Sequence, residues 1–257
     1  RLDALVAAKE RVLGLLAEKR RALITRAVTR GLGPRAPLRD SGIPWLGEIP
    51  AHWEAMRLKR LVAIPITDGP HETPEFVSDG IEFISAEAIQ EDAIDFERRR
   101  GFITPQLHAA YCRKTRPQRD DILFCKSGAT TGKLARVLVD HEFSIWSPLA
   151  VIRADPHVAL PAYLEVCLRA DVVQDQVRQT WSAGTQPNIA MGAINELWLA
   201  VPPIGEQAAI LSALDVQMTN FDEIKSKTVR TVGLLKERRA ALIAAAVTGQ
   251  IDVEHAA

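Results

Sequence analysis

Two polar loops and two basic clusters hold the residues of this chain that could do chemistry. Ser127-Gly128-Ala129-Thr130-Thr131-Gly132-Lys133 combines glycines for close backbone approach with hydroxyls and a cation, the set needed to meet phosphate oxygens or base edges. It is not a magnesium-nucleotide loop, because only three residues separate the glycines and Leu134 stands where Ser or Thr should hold the metal. Thr67-Asp68-Gly69-Pro70-His71-Glu72-Thr73-Pro74 is polar, stiffened by two prolines, and offers Asp68, His71 and Thr73 as hydrogen-bonding groups. Residues 113 to 136 contain Arg113, Lys114, Arg116, Arg119, Lys126, Lys133 and Arg136 against Asp120 and Asp121, a balance of +5, and Arg98-Arg99-Arg100 is a second cluster. Each loop also suits plain folding, as a glycine-rich hairpin turn or as a structural turn with a satisfied histidine, and both readings stay open at this point.

No catalytic pattern accompanies them. The sequence has no GxSxG elbow, no His-Glu-x-x-His and no dinucleotide glycine pattern. Asp120-Asp121 is followed by Phe124-Cys125-Lys126, which lacks the acid before the lysine of a metal-dependent nuclease core, and Glu223-Ile224-Lys225 falls on a helix. An Asn-Pro-Pro-Tyr-like motif to hold a flipped adenine is also missing. The chain reads as one that binds and does not turn over. Cys112, Cys125 and Cys167 show no CxxC spacing, and their odd number fits a reducing, cytoplasmic compartment better than a disulfide framework. The apolar runs fall far short of the roughly 20 residues of a membrane span, and the start has no signal-peptide pattern, so no membrane is expected.

The loops need a scaffold, and 257 residues with 47% hydrophobic and 25% charged are ample for one. Lys+Arg and Asp+Glu are 32 each, so any basic footprint must be local. Short apolar or alternating runs predict strands at Ile81 to Ile84, Asp121 to Cys125, Leu134 to Val139, Phe143 to Ile152 and Glu196 to Val201, and one helix over 161 to 178 opened by Pro161. The middle of the chain is therefore a mixed α/β domain.

The two ends repeat one another. A shift of 219 positions aligns Leu15 to Thr29 with Leu234 to Thr248, and ten of the fifteen pairs are identical; Asp3/Asp222, Arg11/Arg230 and Gly14/Gly233 match upstream. Leu2, Leu5, Val12, Leu16 and Leu23 in the first copy, and Ile210, Leu214, Phe221, Ile224, Leu235 and Leu242 in the second, step by three and four as in a coiled-coil seam. Pro202-Pro203 before the second helix and Gly249 after it are the expected punctuation. Residues 205 to 248 would form a rod of about 65 Å. Entering the middle through one helix and leaving through the other, the chain should pair them antiparallel, with a local two-fold axis between the copies. Two ordinary amphipathic helices packed on the core remain the alternative. Residues 1 to 39 carry a balance of +7 and residues 220 to 257 only +1. Arg1 falls within a helix already under way, which suggests a piece of a longer chain.

Several stretches in order resemble one family, the specificity subunits of type I restriction-modification systems. Ser41-Gly42-Ile43-Pro44-Trp45-Leu46-Gly47-Glu48-Ile49-Pro50 through His52-Trp53-Glu54 resembles the entry to its target recognition domain, and the 67–74 and 127–133 loops resemble its internal loops. Pro202-Pro203-Ile204-Gly205-Glu206-Gln207 resembles the start of the distal conserved helix, and Ala241-Leu242-Ile243 through Val247-Thr248-Gly249-Gln250-Ile251-Asp252-Val253 its end.

The resemblance implies an α+β protein: a proximal conserved helix at 1–39, a mixed α/β target recognition domain at 40–204, and a distal conserved helix at 205–257, the helices forming an antiparallel coiled coil. It implies sequence-specific reading of one half of a split double-stranded DNA site, with methylation subunits docked on the coil and restriction subunits beyond them. No cofactor is expected in this chain; S-adenosylmethionine, ATP and magnesium belong to the partners. A whole subunit of the family has two recognition domains and this sequence has one, so either another module precedes Arg1 or half-subunits self-associate. The proposed division of labour gives Arg98, Arg99, Arg100, Arg113, Lys114 and Arg116 to phosphates. It gives base readout to the two polar loops, through Asp68, His71, Thr73, Ser127, Gly128, Thr130, Thr131 and Lys133, with Lys126 beside the second loop a further DNA-binding candidate. An interaction scaffold, with a coil that binds protein and an α/β module that binds a peptide or small ligand, is the competing reading.

Overall fold

The computed structural model describes residues 2–33, 36–90, 93–181 and 187–250. It divides into two compact units, one built from residues up to 23 together with those from 213 onward, the other from residues 24–212.

The first unit pairs parts of two long helices, α1 (Leu2–Arg30) and α6 (Ile204–Val247). In α1 the half-buried positions are Leu2, Val6, Lys9, Leu13, Leu16, Arg20 and Leu23, alternating steps of four and three. On the matching face of α6, Leu214, Thr228 and Val232 are buried and Met218, Phe221 and Leu235 half-buried. Adding 219 to Leu2, Lys9, Leu13 and Leu16 gives Phe221, Thr228, Val232 and Leu235, so both copies bury the same face. The seam departs from the expected one at four positions and keeps Leu2, Leu16, Leu23, Ile210, Leu214, Phe221 and Leu235. Leu5, Val12, Ile224 and Leu242 are 46%, 39%, 47% and 43% exposed, and Val6 and Leu13 take the inner positions. Leu2-Leu5-Val12 and Leu2-Val6-Leu13 satisfy a three-and-four pattern equally, and the alkyl stems of Lys9 and Arg20 complete the second.

Ion pairs fix the direction: Asp3 with Arg239 at 2.6 Å, Glu10 with Lys236 at 2.9 Å and Arg20 with Asp222 at 3.3 Å. Partners descend along α6 as α1 ascends, so the helices are antiparallel. Arg20–Asp222 and Asp3–Arg239 are moreover one bridge made twice, since 219 separates Arg20 from Arg239 and Asp3 from Asp222. The two-fold axis anticipated from the repeat exchanges them.

The second unit is a mixed sheet domain. β1 (Leu38–Asp40) and β2 (Glu48–Pro50) form a hairpin, and β3 (Glu54–Arg57) pairs antiparallel with β11 (Trp198–Val201), which joins the start of the unit to its end. A four-stranded antiparallel sheet has the order β4 (Thr67–Asp68), β10 (Leu149–Ile152), β7 (Ile122–Cys125), β8 (Leu134–Arg136). A three-stranded sheet has the order β6 (Gly101–Ile103), β5 (Ile81–Ile84), β9 (Phe143–Ile145), with β5 parallel to β9. Ile84, Ile89, Leu123, Ala135, Val137, Phe143, Leu149 and Val151 pack as one buried cluster across both sheets. Every residue of β7 and β10 is buried, which is why those strands read as unbroken apolar runs. Helices α2 (Pro105–Cys112), α3 (Pro161–Arg169), α4 (Asp171–Gln179) and α5 (Met191–Asn195) complete the unit.

Two expected elements are divided. The run from Phe143 to Ile152 is β9 and β10 separated by Trp146-Ser147-Pro148, where the Trp146 N–H donates to Ile84 O and the Lys126 N–H to Pro148 O as the chain crosses between sheets. The helix over 161 to 178 breaks at Ala170, whose ψ of 142° is extended, and the Asp171 N–H donates to Thr25 Oγ1 instead of continuing the helix. Among the described residues no helix is long and apolar enough to cross a membrane.

Candidate nucleic-acid interface

The site is built around the end of β4, an edge strand. Asp68 pairs with Ala150 of β10 and its side chain is only 10% exposed. Lys114 Nζ lies 2.6 Å from Asp68 Oδ1, Lys126 Nζ 3.2 Å from Oδ2, and His71 Nε2 3.2 Å from the same oxygen. Thr115 Oγ1 donates to the Asp68 carbonyl at 2.8 Å. Four predicted site residues from three separate stretches thus meet at one carboxylate. Burial disfavours the ionised form of Asp68, but the hydrogen bonds and charges of Lys114 and Lys126 outweigh it and hold its pKa below the ordinary carboxylate value. Lys126 is itself 12% exposed, whereas Lys114 and His71 are 53% and 70% exposed and reach outward.

Each arm is positioned by local structure. Thr104 caps α2, accepting from the Leu107 N–H, and Pro105 opens it; Lys114 and Thr115 follow its end. Gly69 lets the 67–74 loop lie backbone to backbone on the β9–β10 turn, since a Cβ there would sit 2.7 Å from Trp146 C and 2.8 Å from Ile145 C and closer still to Ile145 O. The Gly69 N–H donates to Leu149 O and the Ser147 N–H to Pro70 O. Glu72 hydrogen-bonds Tyr111, whose pKa is raised by burial and by that carboxylate. Thr73 is exposed.

The loop from Lys126 to Lys133 joins the paired strands β7 and β8 and is tied to a neighbouring segment. Gly128 N–H donates to Pro187 O, Ile189 N–H to Lys126 O, and Ser127 bridges Asn188. The Thr131 hydroxyl donates to Gly128 O and Pro187 O, and Thr130 hydrogen-bonds the Cys125 thiol, so both hydroxyls are engaged within the fold. Gly128 has φ +93° with open space about it, leaving its backbone approachable. Lys133 is exposed, and among the described residues no ion pair engages it.

The remaining cations stand with acids. Arg98 pairs with Asp95 at 3.1 Å, Arg99 with Glu82 at 3.5 Å, Arg100 with Glu87 at 2.5 Å and Arg116 with Glu142 at 2.5 Å, while Arg113 bonds Ala110 O of its own helix. Sequence reasoning missed Trp146. Arg100 lies over its ring at 5.0 Å, its backbone abuts Gly69, and its indole N–H is buried with no partner among the described residues. A tryptophan followed by Ser-Pro between two strong strand runs was the available signal. No group of three or more His, Cys, Asp or Glu among the described residues could hold a metal ion.

No protein-family model matches the chain. The specificity subunit of the type I restriction enzyme EcoBI from Escherichia coli is 21% identical over 208 residues, 80% of this chain and 43% of that subunit. A chain from a structure of a type I restriction-modification system, solved to explain complex assembly and conformational transition, superposes with a TM-score of 0.63 at 18% identity, covering 95% of this chain and 56% of the other. The HsdS subunit from Thermoanaerobacter tengcongensis gives a TM-score of 0.56 at 18% identity, covering 97% of this chain and 57% of that subunit. The chain spans about half the length of the relatives it matches. Paired repeat helices, a mixed sheet domain and these likenesses agree: the chain is a relative of the specificity subunits of type I restriction-modification systems, matching about half of one.

Proposed function

We propose that the chain is the non-catalytic reader of one half of a split duplex-DNA site within a type I restriction-modification complex, and that its coiled coil docks methylation subunits. The observation that carries DNA recognition is the meeting of Asp68, His71, Lys114 and Lys126 at one sheet edge in a chain related to specificity subunits. Arg98, Arg99, Arg100, Arg113 and Arg116 hold phosphates from the flanks, and the 67–74 and 126–133 loops approach base edges, the second through exposed Lys133 and the open Gly128 backbone because the Thr130 and Thr131 hydroxyls are engaged within the fold. On this reading residues 1–39 are the proximal conserved helix, 40–204 the target recognition domain and 205–257 the distal conserved helix. Ile251-Asp252-Val253 of the distal motif lies outside the described residues.

Docking is supported by what the coil leaves uncovered. Leu5, Val12 and Leu15 of α1 and Ile224 and Leu234 of α6 are exposed beside the seam, and the 219-residue shift relates Leu5 to Ile224 and Leu15 to Leu234. Equivalent apolar strips suit two copies of one partner. Methylation subunits fill that role and bring S-adenosylmethionine; restriction subunits bring ATP and magnesium chemistry, all in the cytoplasm. The repeat also supports a second recognition module. Ala27, Val28 and Thr29 are 3%, 3% and 8% exposed, whereas in their counterparts Ala246-Val247-Thr248 the valine is 82% exposed. A module from elsewhere in a longer chain, or from a second chain, suits that uncovered copy.

The test is selection from randomised duplexes by this chain assembled with methylation subunits. Enrichment of a short half-site, with affinity falling steeply as salt rises, is the expected result. Equal retention of all duplexes, or enrichment unchanged when another specificity subunit replaces this chain, overturns the proposal.

A further inference from the structure

Resting on the DNA-recognition reading, we infer that Lys114, steadied by Asp68 and backed by Lys126, reads an acceptor-rich base edge such as that of guanine, and that Asp68 is the positioning residue that makes it a reader. This moves Lys114 out of the phosphate-holding group to which its sequence neighbours assign it.

The argument is electrostatic and geometric. A lysine that holds phosphate works as a mobile, uncompensated charge on a flexible stem. Lys114 is the opposite. Its ammonium is fixed by two oxygens of the loop, Asp68 Oδ1 at 2.6 Å and the Gly69 carbonyl at 3.4 Å, and the carboxylate, shared with Lys126, offsets part of its charge. The carboxylate is fixed in turn. Asp68 sits in the β4–β10 ladder, its carbonyl accepts from Thr115 Oγ1, and its second oxygen is held by Lys126 and His71. An ammonium with three N–H donors, two of them directed inward, keeps outward donor capacity along a defined line, and the side chain is 53% exposed to deliver it. Fixed direction with reduced net charge is poor for attracting a polyanion and good for discriminating base edges, where lysine meets guanine O6 and N7. Arg98, Arg100 and Arg116 pair instead with acids that are 37%, 43% and 52% exposed.

The experiment uses the chain assembled with methylation subunits and compares its selected duplex with a scrambled one across a salt series. Lys114→Met is expected to lower the preference for the selected duplex about tenfold or more, by loss of a directed base contact, and to leave the salt slope unchanged. Asp68→Asn is expected to lower the preference as well. It should also raise affinity for the scrambled duplex and steepen the salt slope by about 0.9, because a freed ammonium then releases one more counterion. A mutation that only loosened the fold would not strengthen binding to the scrambled duplex. Should Asp68→Asn fail to fold, Lys114→Met carries the test alone. The inference is overturned if Lys114→Met weakens both duplexes equally with a slope shallower by about 0.9, which is the signature of a phosphate contact. It is also overturned if folded Asp68→Asn keeps full preference. A wild-type complex without preference overturns the recognition reading itself, and this inference with it.

Discussion

Asp121→Ala tests what holds the loop that leads from Arg116 into β7. The carboxylate is 1% exposed and receives Arg153 Nε and Nη2 at 2.7 Å each, one on either oxygen, while the Gln118 N–H donates to Oδ2 at 2.8 Å. Arg153 also donates to Arg116 O at 3.0 Å, so one guanidinium anchors the loop twice, and the hydrogen bond to Asp121 raises its pKa against the effect of burial. Alanine leaves the guanidinium and the Gln118 N–H without their partner. Breaking a buried pair costs about 3–5 kcal/mol, and the low end applies because Arg153, 26% exposed, regains some water. At roughly 2–4 °C per kcal/mol for a unit of this size, a melting point lower by about 6–12 °C follows. The double variant Asp121→Leu/Arg153→Met removes both charges and should recover most of that loss. Calorimetry on the wild type and the two variants decides it: a single-variant cost under about 1 kcal/mol, or a double variant as unstable as the single, refutes the anchoring argument.

Further outcomes follow from other contacts. Gly69→Ala drives a Cβ into the backbone of Ile145 and Trp146, so a cost of about 1–3 kcal/mol is expected together with loss of duplex preference, read by melting and by binding. On the proposed docking of methylation subunits, Leu5→Asp and Ile224→Asp should each release one of them and the double variant both, counted by native mass spectrometry, with the chain's own melting nearly unchanged. Asp68 has a depressed folded pKa, so the stability from its ion pairs is complete above the unfolded value of about 4 and is lost as pH falls through the folded one. Melting points across that acid range should fall in wild type more than in Asp68→Asn. Burial pushes the Cys125 thiol up to about 11 and the Cys167 thiol up to about 12, so at neutral pH iodoacetamide should label half-buried Cys112 in the native chain and the other two only on unfolding.

What could be read from the sequence was what neighbours in sequence determine. The 219-residue repeat, both long helices, β5, β7, β11 and the hairpin position of Ser127 to Lys133 follow from local periodicity and punctuation. The breaks at Ala170 and at Trp146 to Pro148 do not, because a contact from α1 and a crossing between sheets impose them on segments whose own pattern is continuous. The seam was ambiguous for a related reason: apolarity admitted two faces, and lysine and arginine stems settled it. At the site, residue types pointed to Asp68, His71, Lys114 and Lys126 separately, but their common carboxylate depends on β4 pairing with β10, a contact between residues some eighty positions apart. Trp146 stayed hidden because its role depends on Gly69 pressing against its backbone.

The bridges Arg20–Asp222 and Asp3–Arg239 join partly or well exposed side chains, and such pairs contribute about 0–1 kcal/mol each. Their consequence is register. A heptad seam tolerates a slip of seven residues, since apolar positions again meet apolar positions. The two bridges do not, and because the repeat makes them copies of one another, a slip that breaks one breaks both. One heptad of slip moves the ends of the antiparallel pair by about 10 Å. On the split-site reading that displacement is about three base pairs of the roughly ten in a DNA turn, enough to put the second half-site on a different face of the duplex. On the same reading, weak surface pairs decide the spacing between two recognition modules, while the apolar seam supplies the association and is nearly indifferent to it.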